Sequence, residues 1–578
     1  MSPSGESRPA VTVRWLSRLA TVGTRERTAL WALAFFVLLF ARRWQQLISP
    51  QVWDEDGSAV LRGFIDVGYS TVFDPLAGYL VGVARFISLA AFAISPVYYP
   101  ILSTIFAWLF IVLVAVAIAV APIRIRGGPL LAFATLLVPS DPEVFGLPLY
   151  TFWWAGLLIV LATLWERGAG AQRWRNAFVV IGGLSSPVIL LAWPLFAYRL
   201  IVDRTSRAER WTFAFASICV AIQIAVLRSQ HVAPEKSLLD LGNVLTAQAV
   251  FLGNYILGNL ARVNAGLHAI VLALAGFATL AFVVVAVREE RQSFESLLCL
   301  LYLWFGSIAL SAARVSVSIL DPVGGGPRYF FYPFVFEGWF LVHIACTARR
   351  PAIRITATAF LALGCLTALP ILSRSQDDLS WTASLGQCTV IGDTQPYRLP
   401  VQYDGNSSSA WSLAITGARC RELVARDAIV RLIPSLRPEA LFVAIPVEAG
   451  HIDTTTIAST AAIEKNSWLG SDFQRSHPSG LTVIGSWRNS DADTGILQLQ
   501  LHRGDRVLFR TGPGDAGQRI DIADETNTWT QHLPVTATPD WTILEFSGPR
   551  LPDRFTVTFE DNGTTLGEWS AVALARRP

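Results

Sequence analysis

Tyr98-Tyr-Pro-Ile-Leu-Ser-Thr-Ile-Phe-Ala-Trp108-Leu-Phe-Ile-Val-Leu-Val-Ala-Val-Ala-Ile-Ala-Val-Ala121 contains no charged residue, and none lies between Arg85 and Arg124 on either side of it. As a helix rising 1.5 Å per residue, this stretch is about 36 Å long, enough to cross a hydrocarbon layer of about 30 Å. Similar runs recur from about Thr28 to Leu372 and then stop. The chain is 52% hydrophobic and 15% charged, with mean hydropathy +0.45. That balance makes the bilayer the solvent for the first two thirds of the chain.

Eleven spans are predicted, near 28–48, 98–121, 129–139, 147–165, 176–186, 187–200, 211–228, 265–287, 295–319, 329–348 and 352–372. Alternate connections collect arginine. Arg8, Arg14, Arg18, Arg25 and Arg27 precede the first run, and Arg124/Arg126, Arg167/Arg173/Arg175, Arg204/Arg207/Arg210, Arg288/Arg291 and Arg349/Arg350/Arg354 follow in turn. By the positive-inside rule these define the cytoplasmic face. The opposite loops carry acidic residues, and an odd span count puts the C-terminal region outside the cytoplasm. The stretch from Leu76 to Ser95 is read as a helix along the outer interface, since counting it as a span would reverse the Arg124/Arg126 loop. The segments 129–139, 176–186 and 187–200 are short for a bilayer, and such broken helices need their freed backbone groups to face protein or a water-filled cavity.

The net charge of +3 is dispersed in these short clusters, so nucleic acid is not an expected partner. Cys219, Cys299, Cys346 and Cys365 fall in apolar runs and read as small buried residues. Cys388 and Cys420 remain, and an oxidising compartment would permit a disulfide between them.

Three groups of residues offer chemistry. Trp53-Asp54-Glu55-Asp56-Gly57 follows the first span directly, and three adjacent carboxylates at a membrane boundary favour a proton acceptor among them; the plain alternative is an acidic turn or helix start. Asp141 and Glu143 belong to the second outer loop, where capping around Pro142 is the alternative. Arg328, in Gly324-Gly-Gly-Pro-Arg-Tyr329, stands at the outer end of a span, where a guanidinium can bind two phosphate oxygens or simply anchor the interface. Arg42 and Arg43 run against the positive-inside pattern and could join Arg328 or pair with the acidic loop. The segment 238–262 places Gln248, Tyr255, Asn259 and Arg262 at helical spacing, as a gating or a connecting helix; His231 has no neighbour at metal-ligand spacing.

A basic tail, a first span, an acidic triplet in the first outer loop, short broken helices and a Gly/Pro-flanked Arg-Tyr before a late span resemble the C-type (GT-C) superfamily of polyprenyl-phosphate-sugar-dependent glycosyltransferases, over roughly residues 25–372. The resemblance implies a general base among Asp54, Glu55 and Asp56, with Asp54 the first choice. It implies assistance from Asp141 and Glu143, and a lipid-phosphate contact by Arg328. Tyr329 beside it, and Arg42 and Arg43 by their placement, are further candidates for lipid-phosphate binding. A divalent metal is permitted and not required. The implied partners are a polyprenyl-phosphate sugar donor, a glycan, lipid or protein acceptor, and the bilayer of the plasma (inner) membrane. The rival class is a polyprenyl-linked glycan transporter or flippase, against which stand the lack of a visible internal repeat and the gathering of carboxylates in loops.

From about Gln376 the chain alternates short β-rich segments with Gly, Pro and Asp turns, at 481–487, 495–501, 506–510, 541–546 and 555–559. This argues for a β-sandwich. Asp561-Asn-Gly-Thr-Thr-Leu-Gly-Glu-Trp569 resembles the jelly-roll carbohydrate-binding modules of envelope arabinosyltransferases, which implies sugar binding and tilts the donor toward arabinofuranose; a packing Trp is the alternative. The expected organisation is a cytoplasmic tail (1–27), a GT-C-like helical membrane domain (28–375), a small extracytoplasmic α/β region (376–470) and a β-sandwich (471–578).

Overall fold

The computed structural model describes residues 24–230, 246–258, 265–290, 293–315, 317, 320–374, 376, 378–402, 413–447, 457, 461–472, 481–514, 517–535, 538 and 540–575. Every one of the eleven apolar segments contains a helix: α1 Thr24–Ile48, α4 Tyr99–Val120, α5 Pro129–Leu136, α6 Thr151–Thr163, α7 Gln172–Gly183, α8 Val188–Val202, α9 Arg207–Ser229, α11 Ala265–Glu289, α12 Phe294–Arg314, α13 Phe331–Thr347 and α14 Pro351–Ala368. Between them lie α2 Arg62–Asp66, α3 Gly82–Ile94 and α10 Asn254–Leu257, and after them α15 Trp381–Cys388, α16 Gly417–Arg426 and α17 Ala428–Leu432. Among the described residues, six helices are long and apolar enough to cross a membrane, beginning at Tyr99, Arg207, His268, Phe294, Pro327 and Pro351. The protein is thus a multi-pass membrane protein of helical and then β-rich regions. α5 is only 8 residues long, a rise of about 12 Å. α6, at 13 residues, is also shorter than its apolar run, because Pro148 to Tyr150 form a turn ahead of it.

The chain divides into two units. The first holds residues up to Trp44, Pro75–Ala84 and Ala107–Arg374; the second holds Gln45–Asp74, Arg85–Phe106 and Ser375–Pro578.

At the centre of the first unit is α13, buried at every residue from Phe331 to Ile344. α6 and α7 meet their neighbours on glycine: a Cβ at Gly156 would lie 2.1 Å from Tyr332 Oη, and one at Gly182 would lie 2.7 Å from Ala155 O. Small residues let helices approach closely enough for dispersion to hold them in lipid, where no hydrophobic drive exists between helices. α7, α8 and α9 are tied by a buried ionic knot. Arg175 donates to both Glu209 oxygens at 2.9 and 2.8 Å, and Arg199 donates to the same carboxylate at 3.1 and 2.6 Å. The remaining guanidinium donors reach Ala162 O, Thr163 O and Trp165 O. Of the expected buried cysteines, only Cys219 is buried; Cys299 and Cys365 are half-buried and Cys346 is exposed. Gln248, Leu252, Tyr255 and Ile256 belong to a helical stretch that presses on α11, with Gly253 against Leu272 O, and Tyr255 is buried together with Leu252 and Ile256. His231, Leu241, Leu245, Asn259 and Arg262 lie outside the described residues.

In the second unit all five expected strands form, as β5 Leu481–Gly485, β6 Gly495–His502, β7 Arg506–Thr511, β10 Thr542–Glu545 and β11 Arg554–Asp561. β3 Val443–Pro446, β4 Ala462–Asn466, β8 Gln518–Asp524, β9 Thr530–Pro534 and β12 Ser570–Ala575 join them. Two antiparallel five-stranded sheets result, ordered β3-β10-β7-β12-β5 and β4-β6-β11-β8-β9, so the sandwich draws two strands from the chain before residue 471. Leu497, Leu499 and Leu501 from one sheet and Val507, Phe509 and Val572 from the other share one core. The rings of Phe509 and Phe559 stack across it at 5.3 Å. Before the sandwich, β1 Pro396–Leu399 pairs with β2 Leu413–Thr416, and Cys388 at the end of α15 is disulfide-bonded to Cys420 in α16, with Cα atoms 5.9 Å apart.

Candidate active site

Within the first unit, two loops bring four of the expected residues together. After α5 ends, Asp141 caps a 3-10 turn over Pro142–Val144 by accepting from Glu143 N at 2.9 Å. Asp141 N donates to Pro322 O at 2.7 Å, which ties this turn to the second loop. There Asp321 Oδ1 accepts from Val323 N and Gly324 N, both at 2.8 Å, and folds the glycine run back on itself. Gly326 has φ +64° and its Cβ position would lie 2.9 Å from the Tyr329 ring, so only glycine fits there. Pro327 then opens the turn that leads into α13.

This geometry delivers Arg328 to Glu143. Arg328 Nη1 donates to Glu143 Oε1 at 2.9 Å and to Tyr150 Oη at 2.8 Å, while Tyr150 Oη donates to the same Glu143 oxygen at 2.8 Å. Tyr329 and Tyr150 flank the guanidinium, with centroids 5.6 and 5.8 Å away. The Glu143 side chain is 7% exposed and that of Arg328 is 31% exposed, so the cation is held by a buried anion and still reaches solvent. Arg374 Nη1 lies 3.3 Å from Asp141 Oδ1. Burial pushes the Asp141 carboxyl above its usual range, and Arg374 and Arg43 pull it only part of the way back. Arg374, absent from the candidates above, follows the last apolar run away from the Arg349/Arg350/Arg354 cluster, the same anomaly that marks Arg42 and Arg43.

Those two arginines are built into the scaffold. Arg42 donates to Leu136 O at 2.7 Å, Val138 O at 2.9 Å and Ser140 O at 2.6 Å, and lies 4.0 Å over Phe145. It closes the end of α5, whose last carbonyls lack helical partners. The lipid-phosphate role considered for Arg42 is thereby taken up by backbone carbonyls. Arg43 Nε donates to Phe145 O at 3.0 Å; its side chain is buried, and Nη2 has no hydrogen-bond partner among the described residues.

The acidic triplet belongs to the second unit, where it opens a short π-helix, Asp56–Leu61, that runs into α2. It is no solvated turn: Asp54 is 8% and Asp56 is 1% exposed. Asp54 Oδ1 accepts from Glu55 N at 2.5 Å, and Ser58 Oγ donates to Asp54 O at 2.8 Å. Asp56 and Asp74 both act on the buried guanidinium of Arg85 in α3, which burial draws below its usual range. The loop is stitched to the distant small α/β region. Asp54 N donates to Gln402 O at 3.1 Å and Gln402 N donates to Val52 O at 2.7 Å, a parallel bridge at Trp53. A Cβ at Gly57 would meet Val401 Cγ2 at 2.7 Å. Leu379 N donates to Gln51 Oε1, Gln376 Nε2 to Ser49 O, and Arg419 to Ile65 O. No sequence signal announces these contacts, because their partners lie more than 300 residues apart.

Among the described residues, no three His, Cys, Asp or Glu side chains are gathered as metal ligands. Asp141 and Glu143 instead each face an arginine, so this pair does not fit a divalent ion. In the sandwich, Trp569 is 4% exposed and its ring lies 5.4 Å from the Arg510 guanidinium, the packing role rather than a sugar platform.

No protein-family model and no curated protein matches the chain. Five solved chains do. One is the cryo-EM structure of arabinosyltransferase EmbB from Mycobacterium smegmatis, with a TM-score of 0.31 and 11% identity, the match covering 100% of this chain and 66% of that one. This chain therefore spans just under two thirds of the length of that structure.

Proposed function

We propose that the protein is an inverting membrane glycosyltransferase that moves a sugar from a polyprenyl-phosphate donor to an extracytoplasmic glycan, lipid or protein. The carrying observation is Arg328, a partly exposed guanidinium fixed by the buried Glu143 and Tyr150 just ahead of α13, the helix buried at every residue from Phe331 to Ile344. Such a cation stabilises the negative charge that builds on a departing lipid phosphate. Arg374 beside Asp141 adds a second cation to the same loops. In the reaction, the bond from the anomeric carbon to the phosphate oxygen breaks as the acceptor oxygen forms the new bond, and the acceptor proton passes to a carboxylate. That base is assigned to the Asp54–Asp56 triplet, Asp54 first. Glu143 and Asp141, which the resemblance casts as assistants, act by holding Arg328 and Arg374. The alternation of arginine clusters supports an extracytoplasmic C-terminal region, as does the Cys388–Cys420 disulfide. Arabinofuranose is the sugar toward which the resemblance at 561–569 tilts.

One observation favours the rival transporter reading. Glu337 is fully buried in the middle of α13, and neither carboxylate oxygen has a hydrogen-bond partner among the described residues. Ionisable groups at that depth mark ion pathways in transporters. Transfer of radiolabelled sugar from a polyprenyl-phosphate donor, measured for wild type, Asp54→Asn, Glu55→Gln, Asp56→Asn and Glu337→Gln at matched expression, separates the two. The enzyme reading expects loss in at least one triplet variant and transfer retained in Glu337→Gln. Unchanged turnover in all three triplet variants overturns it.

A further inference from the structure

In the second unit, Arg431-Leu-Ile-Pro-Ser-Leu-Arg437 is exposed at every residue. Leu432 is 81% exposed, Ile433 43% and Leu436 36%. A contiguous apolar tip on a soluble domain is costly in water unless something covers it. Three contacts fix the tip beside the start of a membrane-crossing helix. Asp427, buried beneath it, accepts from Ser95 Oγ and, at 2.9 Å, from Val97 N, just ahead of α4. Tyr98 Oη, one residue before the first turn of α4, donates to Leu436 O at 2.8 Å. From the sandwich side, Arg550 donates to Ser435 O at 3.3 Å and Arg437 O at 3.1 Å, so the tip is braced.

We propose that residues 431–437 form a finger by which the C-terminal region inserts into the lipid headgroup boundary, with Leu432, Ile433 and Leu436 among the upper acyl chains and Arg431 and Arg437 on anionic lipid phosphates. The occupant follows from the anchoring. Tyr98 abuts an uncharged helix of 22 residues, long and apolar enough to cross the bilayer, so a group bonded to it sits at the level where headgroups begin. A lipid surface is the one partner continuous with that helix. The arginines bracketing the apolar residues complement phosphate, and the arrangement is that of interfacial anchors, apolar contact supplying depth and basic residues supplying preference for anionic lipid. Ile94, 40% exposed at the end of α3, adds apolar surface just before the same junction.

The test uses the full chain in lipid nanodiscs, with Cys219, Cys299, Cys346 and Cys365 replaced by serine and the disulfide intact. An environment-sensitive fluorophore is placed at Leu432→Cys, and separately at Thr526→Cys in an exposed turn of the sandwich. The lipids are phosphatidylcholine with or without phosphatidylglycerol, carrying a doxyl quencher high on the acyl chain. Quenching at 432 should exceed that at 526 by at least about twofold, and phosphatidylglycerol should raise it in a way that Arg431→Gln with Arg437→Gln removes. Equal weak quenching at both sites overturns the proposal. So does blue-shifted, unquenched emission at 432, which would mean that a second copy or another protein covers the finger.

Discussion

Replacing Arg328 asks the most direct question of the proposed chemistry. In Arg328→Lys a point charge survives but the planar fork is lost, and with it one of two hydrogen bonds to a phosphate. A hydrogen bond to a charged group contributes about 1.5–3 kcal/mol, so kcat/KM should fall about 13- to 160-fold. Arg328→Gln removes the charge as well, and the fall should exceed about 100-fold. Glu143→Gln keeps an acceptor 2.9 Å from the guanidinium. It removes a buried anion whose partner is partly exposed, which places the loss between surface and buried pairs, at about 1–2 kcal/mol or 5- to 30-fold. Because Glu143 works through Arg328, the double variant should match Arg328→Gln alone to within about 0.5 kcal/mol. The assay is initial-rate transfer from a radiolabelled polyprenyl-phosphate sugar at low donor concentration, on matched amounts of purified protein. Full activity in Arg328→Lys would refute the bidentate phosphate contact. Additive losses in the double variant would refute the positioning role of Glu143.

Gly57→Ala places a methyl 2.7 Å from the stiff side chain of Val401 and should displace the acidic loop; transfer should fall while membrane insertion and expression stay at wild-type levels. Cys388→Ser with Cys420→Ser frees a loop closed over 32 residues, which in the chain-entropy treatment costs about 3.7 kcal/mol, read as a lower denaturant midpoint for the C-terminal region. Asp561 is buried, and burial raises its carboxyl to about 6 against Gln518, Gly563 and Ser486, with Glu568 adding to the rise. A folded value above the unfolded 3.8 means that protonation favours the fold. The stability contributed by this group is therefore fully present below about 4 and is lost as pH rises through about 6. In Asp561→Asn the melting temperature of the C-terminal region should lose that part of its slope between pH 4 and 6.5.

Helix placement was legible because a bilayer-spanning helix needs only composition and length. Tyr98 to Ala121 is such a case; each of the eleven apolar runs holds a helix, but among the described residues only six of these helices are long and apolar enough to cross a membrane, with α5 and α6 among the others cut short by prolines and turns. The five strands foreseen had strong alternation, as in Gly495-Ile-Leu-Gln-Leu-Gln-Leu501. Those not foreseen were weak in contrast: β12 is Ser-Ala-Val-Ala-Leu-Ala, and β4 is a mostly exposed edge. Candidate site residues were legible by type and placement, since charged groups at membrane boundaries are few, but their assignments were not. Arg42 and Arg328 look alike in sequence. The first is consumed by three carbonyls at a helix end and the second is presented by a glycine turn to a buried glutamate.

Composition and periodicity by themselves determined that the chain crosses a membrane and ends in β structure, because burial of apolar surface in lipid or in a sandwich core depends on residue type and local spacing. Only the tertiary structure decided which arginine meets which carboxylate, that the Trp53–Gly57 turn is held by Gln402, and that an Arg-flanked apolar tip is pinned at the head of α4. Those pairings join segments up to hundreds of residues apart, and the energy of a buried ion pair or hydrogen bond depends on distance and desolvation, neither of which a local sequence pattern encodes.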